Sequence, residues 1–437
     1  MKKVLLISLG CVKNTVDSET LLSFFKRSDF EIVLNPKDAD VIVINTCGFI
    51  EDAKKESIDV ILNYAKYNKK LVVVGCLAQR YEKELKESIP EIDLIVPITN
   101  YKNLPILIKS LFNDEVFQEY NPYYRVLSTP KFSAYLKISD GCSNHCAYCA
   151  IPLIRGEFHS VPKEELLKEA KRLASLNIKE LIIISQDTTK YGTDIYKDYD
   201  IVNLLQDILN LKAFRFIRLL YLYSYEVSDR LINLIKENSE VLLPYFDIPI
   251  QHSTNKMLKL MNRKDTKKDI IKLHNKIKST YKKAILRTTI IVGFPHENNK
   301  DFNSLKSFLN KYKFDHLGVF TYSKEEGTAG FLMDDQVREK TKIKRKNELM
   351  KQQTFISYEL NKKHIGEEMI GIITNKLKDS NEYCVRTYFN APDDIDGNIY
   401  VKSSFELNEG DIVKIKILSS SIYDLSGEVV KVIEKFD

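Results

Sequence analysis

Long apolar segments are missing from this chain of 437 residues. No uninterrupted apolar run reaches the roughly 18 residues that a membrane-spanning helix requires. The chain begins with two lysines and a short apolar stretch, but Lys13, Asp17 and Glu19 follow it in place of a small-residue cleavage site. We therefore expect no membrane association and no signal peptide, and we expect a cytoplasmic protein.

A strong excess of charge of one sign is missing as well. The 66 Lys and Arg residues and the 60 Asp and Glu residues leave a net charge of only +6. A balance this mild does not establish a nucleic-acid partner. No internal repeat and no low-complexity segment stands out, and the length predicts two or three ordinary globular domains.

The chain also lacks an even set of cysteines of the kind that a disulfide framework needs, because it has seven. In a cytosolic protein an odd number of cysteines indicates metal binding or redox chemistry. We therefore expect the cysteines to mark the chemistry of this protein.

The amino-terminal part of the chain alternates short apolar strands with amphipathic helices. The predicted strands are residues 4–10, 41–45, 71–75 and 93–97, and the predicted helices include 18–26 and 53–67. Buried β-branched strands that alternate with helices are typical of a doubly wound parallel sheet. We predict an α/β domain of this type over residues 1–117.

Three cysteines of this domain, Cys11, Cys47 and Cys76, each follow one of its first three predicted strands. Ligand sites in open parallel sheets collect beyond the carboxyl ends of the strands, so these cysteines are expected to converge at one edge. Free cysteines are often simply buried in a core, but each of these stands beside Gly or Asn in a polar turn. Three thiolates that converge there could hold a 4Fe–4S cluster with one open iron, an interpretation that the neighbouring region described below favours.

A tyrosine- and proline-containing connector at 118–130 leads to a second region with the same alternation. Its predicted strands are residues 133–139, 180–185, 216–222, 245–250, 285–293 and 316–322. Six such units over residues 128–363 predict a parallel (β/α) barrel that is incomplete. Chemistry in such barrels lies at the carboxyl ends of the strands, and the sequence DGCSNHCAYC follows the first of them.

That sequence spaces Cys142, Cys146 and Cys149 as CxxxCxxC. Thiolates are the ligands of iron–sulfur clusters, and short spacings let one loop surround a cluster. Three thiolates leave one iron open for another ligand. A zinc site is the alternative; because structural zinc usually takes four protein ligands, His145 or His252 would have to complete it. Unrelated cysteines are the third interpretation.

Two further segments complete the chain. Residues 335–363 are strongly charged and predict a helix whose charges are mostly solvated. Residues 365–437 alternate apolar and polar positions and carry turn signals at 396–397 and 409–410, which predicts a small antiparallel β-barrel. Cys384 lies in a strand-like run of this segment without a cysteine nearby in the sequence, so we expect it to be a structural thiol.

The CxxxCxxC loop, with Tyr148 before its last cysteine, resembles the motif of the radical S-adenosylmethionine (SAM) superfamily. Members of that superfamily chelate SAM at the open iron and split it reductively into a radical that removes hydrogen from an unactivated carbon. By this resemblance, the residues expected to contact SAM are Tyr148, Ser185, Gln186, Asp187, Arg287 and Glu297. All but Tyr148 lie in or after predicted strands, where polar side chains also serve as ordinary caps.

The order of the segments resembles one family across essentially the whole chain. A three-cysteine α/β domain, a radical SAM barrel and a terminal barrel of the type called TRAM are together similar to the methylthiotransferase family. This resemblance implies two 4Fe–4S clusters, SAM used both as methyl donor and as radical source, and transfer of a methylthio group to a C–H carbon. The CxxxCxxC cysteines would hold the radical-generating cluster, and Cys11, Cys47 and Cys76 would hold an auxiliary cluster that delivers sulfur.

Within that family the chain is similar to the branch that modifies an aspartate of small-ribosomal-subunit protein twelve. The stretches that carry this similarity are SLGCVKNTVDSE (8–19), DIPIQHSTNKMLKLMNR (247–263), YSKEEGT (322–328) and RTYFNAPDDIDGNIYV (386–401). The chain departs from the pattern of the branch at Val12, where proline is usual, and at Phe389 and Asn390, where alanine and aspartate are expected. None of these three residues is an expected cluster ligand.

The terminal segment differs in charge from the rest of the chain. Residues 364–437 contain 8 Lys and Arg and 14 Asp and Glu, a net charge of −6, so the remainder carries +12. Phosphate neutralisation dominates nucleic-acid affinity, whereas an acidic barrel suits a basic protein such as a ribosomal protein. A merely solvated acidic face is the alternative. The charge therefore favours a ribosomal protein over tRNA.

We expect a methylthiotransferase that acts on the β-carbon of one aspartate of this ribosomal protein and receives electrons from a donor such as a flavodoxin or ferredoxin. The enzymatic alternative is methylthiolation of adenosine in tRNA. An alternative of another class is a non-catalytic iron–sulfur or zinc protein that binds ribosomes or RNA.

Overall fold

The structure is a computed structural model that describes residues 1–112, 117–378, 380–392 and 395–436. The predicted domains 1–117 and 365–437 and the stretch 386–401 each extend in part outside these residues. Within the described ranges, no helix combines the length and the apolar content that a membrane span requires.

The chain folds into two compact units. The first consists of Met1–Thr129, Lys137–Glu169 and Ser323–Phe331, and the second consists of Pro130–Leu136, Ala170–Tyr322 and Leu332–Asp437, as far as these segments are described. The amino-terminal α/β domain thus shares its unit with the segment that carries the CxxxCxxC loop. The partial barrel shares its unit with the terminal barrel, and the limits of three separate domains stay a prediction.

The regular elements alternate along most of the chain. The strands are β1 (Lys2–Ser8), β2 (Phe30–Ile32), β3 (Val41–Thr46), β4 (Lys70–Gly75), β5 (Leu94–Pro97), β6 (Ser133–Lys137), β7 (Ser139–Asp140), β8 (His159–Ser160), β9 (Glu180–Ile184), β10 (Phe216–Leu219), β11 (Tyr245–Asp247), β12 (Ile285–Val292), β13 (His316–Thr321), β14 (Glu368–Lys376), β15 (Glu382–Arg386), β16 (Ile399–Lys402), β17 (Ile412–Ser420) and β18 (Leu425–Glu434). The α-helices are α1 (Val12–Arg27), α2 (Glu51–Ala65), α3 (Cys76–Arg80), α4 (Glu82–Ser88), α5 (Leu104–Phe112), α6 (Ile151–Arg155), α7 (Lys163–Ser175), α8 (Ile201–Asn210), α9 (Asp229–Glu237), α10 (Asn255–Leu260), α11 (Lys267–Thr280), α12 (Asn299–Lys311), α13 (Ala329–Leu332) and α14 (Glu339–Asn361). Short 3-10 helices cover Ile98–Asn103, Thr188–Lys190, Ser224–Glu226 and Lys362–His364.

The first unit contains a five-stranded parallel sheet in the order β2-β1-β3-β4-β5. Residues of β3 alternate between the two faces: Val43 packs in a core with α1 and α5, and Ile44 packs in a core with α2, α3 and α4. Helices on both faces confirm the doubly wound parallel sheet. The sequence analysis missed β2, because a three-residue edge strand carries too little apolar periodicity to be recognised.

The second unit contains an incomplete barrel, as predicted. Strands β6, β9 and β10 form one three-stranded sheet, and β11, β12 and β13 form another. A bridge between Ile217 and Leu242 continues the first sheet toward the second. Helices α8, α11 and α12 each begin with a capping box, in which the side chains of the N-cap and of the third helical residue satisfy backbone N–H groups.

The terminal segment forms a closed barrel in the order β14-β15-β16-β18-β17. The small barrel is confirmed, but its pairing is not wholly antiparallel, because β16 and β18 run parallel. A closed barrel with an odd number of strands cannot alternate direction at every neighbour, so one parallel pair is required. The turn signals at 396–397 and 409–410 lie just before β16 and β17, as expected.

Within the second unit, the terminal barrel packs on the amino ends of the barrel strands. The carboxylate of Glu180, the first residue of β9, pairs with Arg218 of β10 (3.1 Å) and with Arg386 of β15 (2.5 Å). A buried apolar cluster surrounds this contact and consists of Phe132, Phe216, Leu243, Ile372 and Ile412. The terminal barrel therefore covers the end of the partial barrel opposite to the carboxyl ends of its strands.

The charged segment near residue 350 forms α14, and most of its charged side chains are exposed, as expected. Lys342 and Arg345 are buried. The Nζ atom of Lys342 donates to the carbonyl of Tyr322 (2.8 Å), and NH1 of Arg345 donates to the carbonyl of Glu297 (3.0 Å). These two buried cations are the exceptions, and they hold α14 against the strand ends of the partial barrel.

Candidate active site

The first cysteine triad lies at the carboxyl edge of the parallel sheet. Cys11 follows β1 and is the N-cap residue of α1, Cys47 follows β3, and Cys76 is the first residue of α3 after β4. The chain adds β2 on one side of β1 and adds β3, β4 and β5 on the other side. Ligands of open α/β sheets bind in the crevice at such a switch point, which here lies between β1 and β3. The fold therefore brings together the three cysteines that the sequence analysis grouped.

Two glycines allow these strand ends to approach each other. A Cβ atom on Gly10, which has a φ of +86°, would lie 2.8 Å from the Cβ atom of Cys47 and 3.0 Å from its sulfur. A Cβ atom on Gly48 would lie 2.8 Å from the Cα atom of Leu77 in α3. Contacts this short leave no room for a side chain at either position, so the backbone at Gly10 and Gly48 packs directly against the neighbouring loop or helix.

The electrostatics of the triad show the same proximity. Burial raises the pKa of the Cys47 thiol, and the neighbouring Cys11 adds to the increase. Burial raises the pKa of Cys76 to about 12, with Arg155 opposing the increase and with Cys47 and Cys11 adding to it. Thiols of this kind are protonated without a metal, and ligation releases the protons.

The second triad lies on a loop between β7 and α6. Strands β7 and β8 pair antiparallel and close the base of this loop. Within it, the N–H group of Cys142 donates to the carbonyl of Gly156 (3.1 Å), and the N–H group of Cys149 donates to the carbonyl of Cys146 (3.0 Å). Burial raises the pKa of Cys149 to about 12, with Cys146 and Cys142 contributing. One closed loop therefore carries all three cysteines, and Cys146 and Cys142 are near enough to Cys149 to raise the pKa of its thiol.

The two triads are neighbours within the first unit. Cys76 packs in a buried cluster with Ala150 and Ile154, which directly follow the second triad. Lys13, two residues after Cys11, lies near enough to Cys149 to lower the pKa of that thiol. Elements that carry one triad therefore contact elements that carry the other.

The sequence analysis missed the polar contacts between these elements. NH2 of Arg155 donates to the Oδ1 atom of Asn14 (2.7 Å) and lies 3.8 Å from the sulfur of Cys76. The same guanidinium pairs with Asp17 (2.8 Å) and Asp140 (3.0 Å). A signal for this role was present in the sequence, because Arg155 ends an otherwise apolar run, IPLIR, directly after the cysteine loop.

The two histidines of the zinc alternative lie in different environments. His145 is exposed, and its Nε2 atom lies 3.5 Å from a carboxylate oxygen of Glu157. His252 is buried, and its Nδ1 atom accepts the N–H group of Thr254 (3.1 Å). Over the described residues, no three His, Cys, Asp or Glu side chains are grouped so that they could hold a single metal ion.

The residues expected to contact SAM fall into two groups. Ser185, Gln186 and Asp187 follow β9 at its carboxyl end, and Tyr148 is half-buried on the cysteine loop. Ser185 and Asp187 are buried, and Asp187 accepts the hydroxyl of Thr189 (2.6 Å). The side-chain oxygen of Gln186 is buried and, among the described residues, has no hydrogen-bond donor.

The charged groups of Arg287 and Glu297 are engaged by other residues. Arg287 lies near the amino end of β12, where it pairs with Asp247 (2.9 Å) and Asp396 (3.4 Å). Glu297 accepts the N–H group of Gly293, and its other oxygen lies 3.3 Å from Arg345. Burial raises the pKa of Glu297 to about 7. Their contact with SAM stays a prediction.

Cys384, the remaining cysteine, is buried in β15 of the terminal barrel and belongs to the second unit. Both triads belong to the first. The role of Cys384 as a structural thiol stays a prediction.

Three family models match the chain. They are the uncharacterized protein family UPF0004 over residues 3–97, the Radical SAM superfamily over residues 136–309 and the TRAM domain over residues 365–430. The matches coincide with the parallel α/β sheet, the partial barrel with its CxxxCxxC loop, and the closed terminal barrel. Together with the two cysteine triads, they define a radical SAM enzyme.

Curated relatives match the chain from end to end. The ribosomal protein uS12 methylthiotransferase RimO of Clostridioides difficile is 45% identical over 443 residues, which cover 98% of this chain and 99% of that protein. The proteins of the same name from Acetivibrio thermocellus and Caldicellulosiruptor saccharolyticus are 42% and 44% identical, with 98% of this chain and 98% and 100% of theirs covered. The chain belongs to the RimO family of radical SAM methylthiotransferases. The expected family resemblance is therefore confirmed, and SAM and 4Fe–4S clusters are the cofactors that this family implies.

Solved structures resemble the fold at low sequence identity. The radical SAM methyltransferase TsrM from Kitasatospora setae has a TM-score of 0.54 at 12% identity, over 73% of each chain. The cobalamin-dependent SAM radical enzyme OxsB has a TM-score of 0.52 at 14% identity, over 82% of this chain and 56% of OxsB. These similarities concern the fold alone.

Proposed function

We propose that the chain transfers a methylthio group to the β-carbon of an aspartate of ribosomal protein uS12, with SAM as methyl donor and as radical source. The names and full-length similarity of its relatives support this reaction. The observation that carries the proposal is the contact, in one compact unit, between the elements that carry the two cysteine triads. A reaction that makes a radical and inserts sulfur at the same carbon requires its two metal groups close together.

We assign Cys142, Cys146 and Cys149 to the radical-generating cluster. The pairing of β7 with β8 closes their loop, and the mutual influence of the three thiols on the pKa of Cys149 supports their proximity. Three thiolates leave one iron of a cubic cluster open. We assign Cys11, Cys47 and Cys76 to the auxiliary cluster. They follow strands at the crevice of the parallel sheet, where the absence of side chains at Gly10 and Gly48 allows the strand ends to approach each other.

When bound, the clusters and SAM supply the reducing electron, the hydrogen-abstracting radical, the methyl group and the sulfur. The protein contributes thiolate ligands, orientation and exclusion of water. Among the residues for SAM, Gln186 has the best-supported position, because its buried oxygen has no internal donor. Ser185, Asp187 and Tyr148 complete this set. Arg287 and Glu297 are retained with less support, because internal partners already engage their charges.

The substrate protein rather than tRNA is supported by charge as well as by family. The terminal segment carries a net charge of −6, and a basic ribosomal protein complements it better than phosphate does. We further propose a small reducing protein, a flavodoxin or ferredoxin, as the electron donor, and the cytoplasm, where ribosomes are made, as the location. We retain 1–117, 128–363 and 365–437 as the functional domains.

The test is a comparison of ribosomal protein uS12 and of tRNA nucleosides between a strain with this gene and a strain without it. The proposal predicts that uS12 from the deletion strain is lighter by a methylthio group less the hydrogen atom that the group replaces. Fragmentation of wild-type uS12 should place the group on an aspartate, and the tRNA nucleosides should not change. Loss of a methylthio-adenosine with unchanged uS12 would establish the tRNA alternative. No change in either molecule, with no deoxyadenosine formed by the reconstituted protein, would favour a non-catalytic binding factor.

A further inference from the structure

Arg155 is a buried cation that contacts the first cysteine triad from the loop of the second. It ends α6, six residues after Cys149, and its side chain is 2% exposed. Its NH2 atom lies 3.8 Å from the sulfur of Cys76 and 2.7 Å from the Oδ1 atom of Asn14. A guanidinium is planar and rigid, so this contact fixes the distance between the two segments.

The position of Asn14 makes the contact more specific. Its Oδ1 atom is 3.5 Å from the sulfur of Cys76, and its Nδ2 atom donates to the carbonyls of Leu9 and Thr46, each at 3.0 Å. Asn14 is thereby held between β1 and β3, where it can keep NH2 of Arg155 directed toward Cys76. The hydrogen bonds of Asn14 therefore hold Arg155 and the Cys76 sulfur in a fixed polar arrangement.

The charge of Arg155 is balanced without the cysteines. Arg155 and Lys137 are paired with Asp17 and Asp140, at distances from 2.5 to 3.0 Å. Two cations and two carboxylates form a buried set that is neutral. A thiolate at Cys76 adds negative charge beside this set. Among the contacts of the described residues, the NH2 group of Arg155 is the nearest cationic hydrogen-bond donor to the Cys76 sulfur.

We propose that Arg155 is a positioning residue that donates a hydrogen bond to the Cys76 sulfur and thereby raises the reduction potential of the auxiliary cluster. This inference rests on the proposed function, because it assumes that Cys76 is a cluster ligand. Hydrogen bonds to cluster sulfurs and nearby positive charge stabilise the reduced, more negative form, and they are established determinants of cluster potential. Through the same side chain, the loop of the radical-generating cluster is held against the auxiliary cluster.

The experiment uses the full-length chain with Cys142, Cys146 and Cys149 replaced by alanine, so that only the auxiliary cluster is present. Its midpoint potential is measured by redox titration with electron paramagnetic resonance detection. In this background, Arg155→Lys keeps the positive charge but cannot reach Asp17, Asp140, Asn14 and Cys76 together. We expect a midpoint potential that is more negative than that of the parent protein.

The matched control is Arg125→Lys in the same background. Arg125 is also a buried arginine of the first unit held by two carboxylates, Glu19 (2.6 Å) and Glu169 (2.7 Å). Its substitution is expected to lower the melting temperature and to leave the midpoint potential unchanged. A general loosening of the unit would instead shift the potential in both variants, and that result would overturn the inference.

A second variant guards against misfolding of the first. Arg155→Gln combined with Asp140→Asn removes one positive and one negative charge together, so the buried set stays neutral. We expect its midpoint potential to be more negative than that of Arg155→Lys. If either variant folds, binds iron as the parent does and keeps the parent's potential, the inference is wrong. If the parent itself binds no cluster, the assignment of Cys11, Cys47 and Cys76 fails, and the inference fails with it.

Discussion

Arg80 and Glu325 form a buried ion pair, with 2.8 Å between NH1 of the arginine and Oε2 of the glutamate. Arg80 ends α3, the helix that Cys76 begins, and Glu325 belongs to the segment 323–331 of the same unit. Lys54 of α2 approaches the same carboxylate oxygen at 3.2 Å. The segment that follows the last barrel strand therefore anchors the helix that begins with Cys76.

Substituting Glu325→Gln is expected to destabilise the protein by about 3 kcal/mol, because it removes the nearest counter-charge of the buried Arg80, while Lys54 keeps Glu51 as a partner. Urea unfolding of the metal-free protein measures this loss. Glu326→Gln is the control: the Glu326 side chain is 59% exposed, and exposed pairs contribute less than about 1 kcal/mol. Equal decreases in the free energy of unfolding of the two variants would show that the buried Arg80–Glu325 pair contributes no more to stability than the exposed one.

Much of the architecture was predictable from the sequence. The apolar runs at 41–45 and 71–75 became β3 and β4 almost residue for residue, because buried parallel strands are apolar on both faces. The convergence of Cys11, Cys47 and Cys76 followed from topology, since parallel strands share one carboxyl edge. Apolar strand patterns are local in the sequence, and the parallel topology that they predict places the ends of the strands at one edge.

The remainder depended on contacts between distant segments. Arg155 lies 141 residues from Asn14, and no local pattern reveals which buried polar groups it meets. A charged run does not show which turns of a helix face a core, so the burial of Lys342 and Arg345 could not be predicted. The parallel pairing of β16 with β18 follows from closure of a barrel with an odd number of strands, which cannot be read from alternation alone.

Glu180 is the next site for a stability test, because one carboxylate neutralises Arg218 and Arg386 where the terminal barrel meets the partial barrel. Burial acts to raise the pKa of Glu180, but Arg386 and Arg218 outweigh it and lower the pKa. Glu180→Gln should cost roughly 3–5 kcal/mol of unfolding free energy, because it leaves two buried cations with no counter-charge. The measurement is thermal and urea unfolding by circular dichroism.

Its control is Glu434→Gln, which removes the partner of Lys179 at the edge of the same contact. The Glu434 side chain is 42% exposed, so a loss below about 1 kcal/mol is expected. A Glu180→Gln variant as stable as Glu434→Gln would show that the Glu180 carboxylate does not stabilise the protein through Arg218 and Arg386.

His252 should make the stability of the protein dependent on pH. Burial lowers its pKa from 6.5 to about 3 in the folded protein, with Asp301 opposing this and Arg345 and Lys256 adding to it. The pKa of His252 is lower in the folded protein than in the unfolded chain, so the unfolded chain binds a proton first as the pH falls. The free energy of unfolding is therefore highest above pH ~6.5 and decreases toward pH 3 by roughly 1.4 kcal/mol per pH unit.

Unfolding curves of the wild type and of His252→Asn at pH values between 7.5 and 4 measure this effect. The difference in stability between the two proteins should shrink steadily below pH 6.5. His159→Asn, at an exposed position, should leave the pH dependence of the wild type intact. A constant difference between wild type and His252→Asn over this range would show that His252 does not carry the effect.

The most direct test of the account measures 5′-deoxyadenosine and methylthiolated uS12 together, in anaerobic reactions of the wild type, Cys146→Ala and Cys47→Ala. Cys146→Ala should form neither product, because the loop with Cys142 and Cys149 loses a ligand of the radical-generating cluster. Cys47→Ala should still form 5′-deoxyadenosine, at the order of magnitude of the wild type, but should form no methylthiolated uS12. Methylthiolated uS12 from either variant, or loss of SAM cleavage in Cys47→Ala with its second cluster intact, would contradict the division of labour between the two triads.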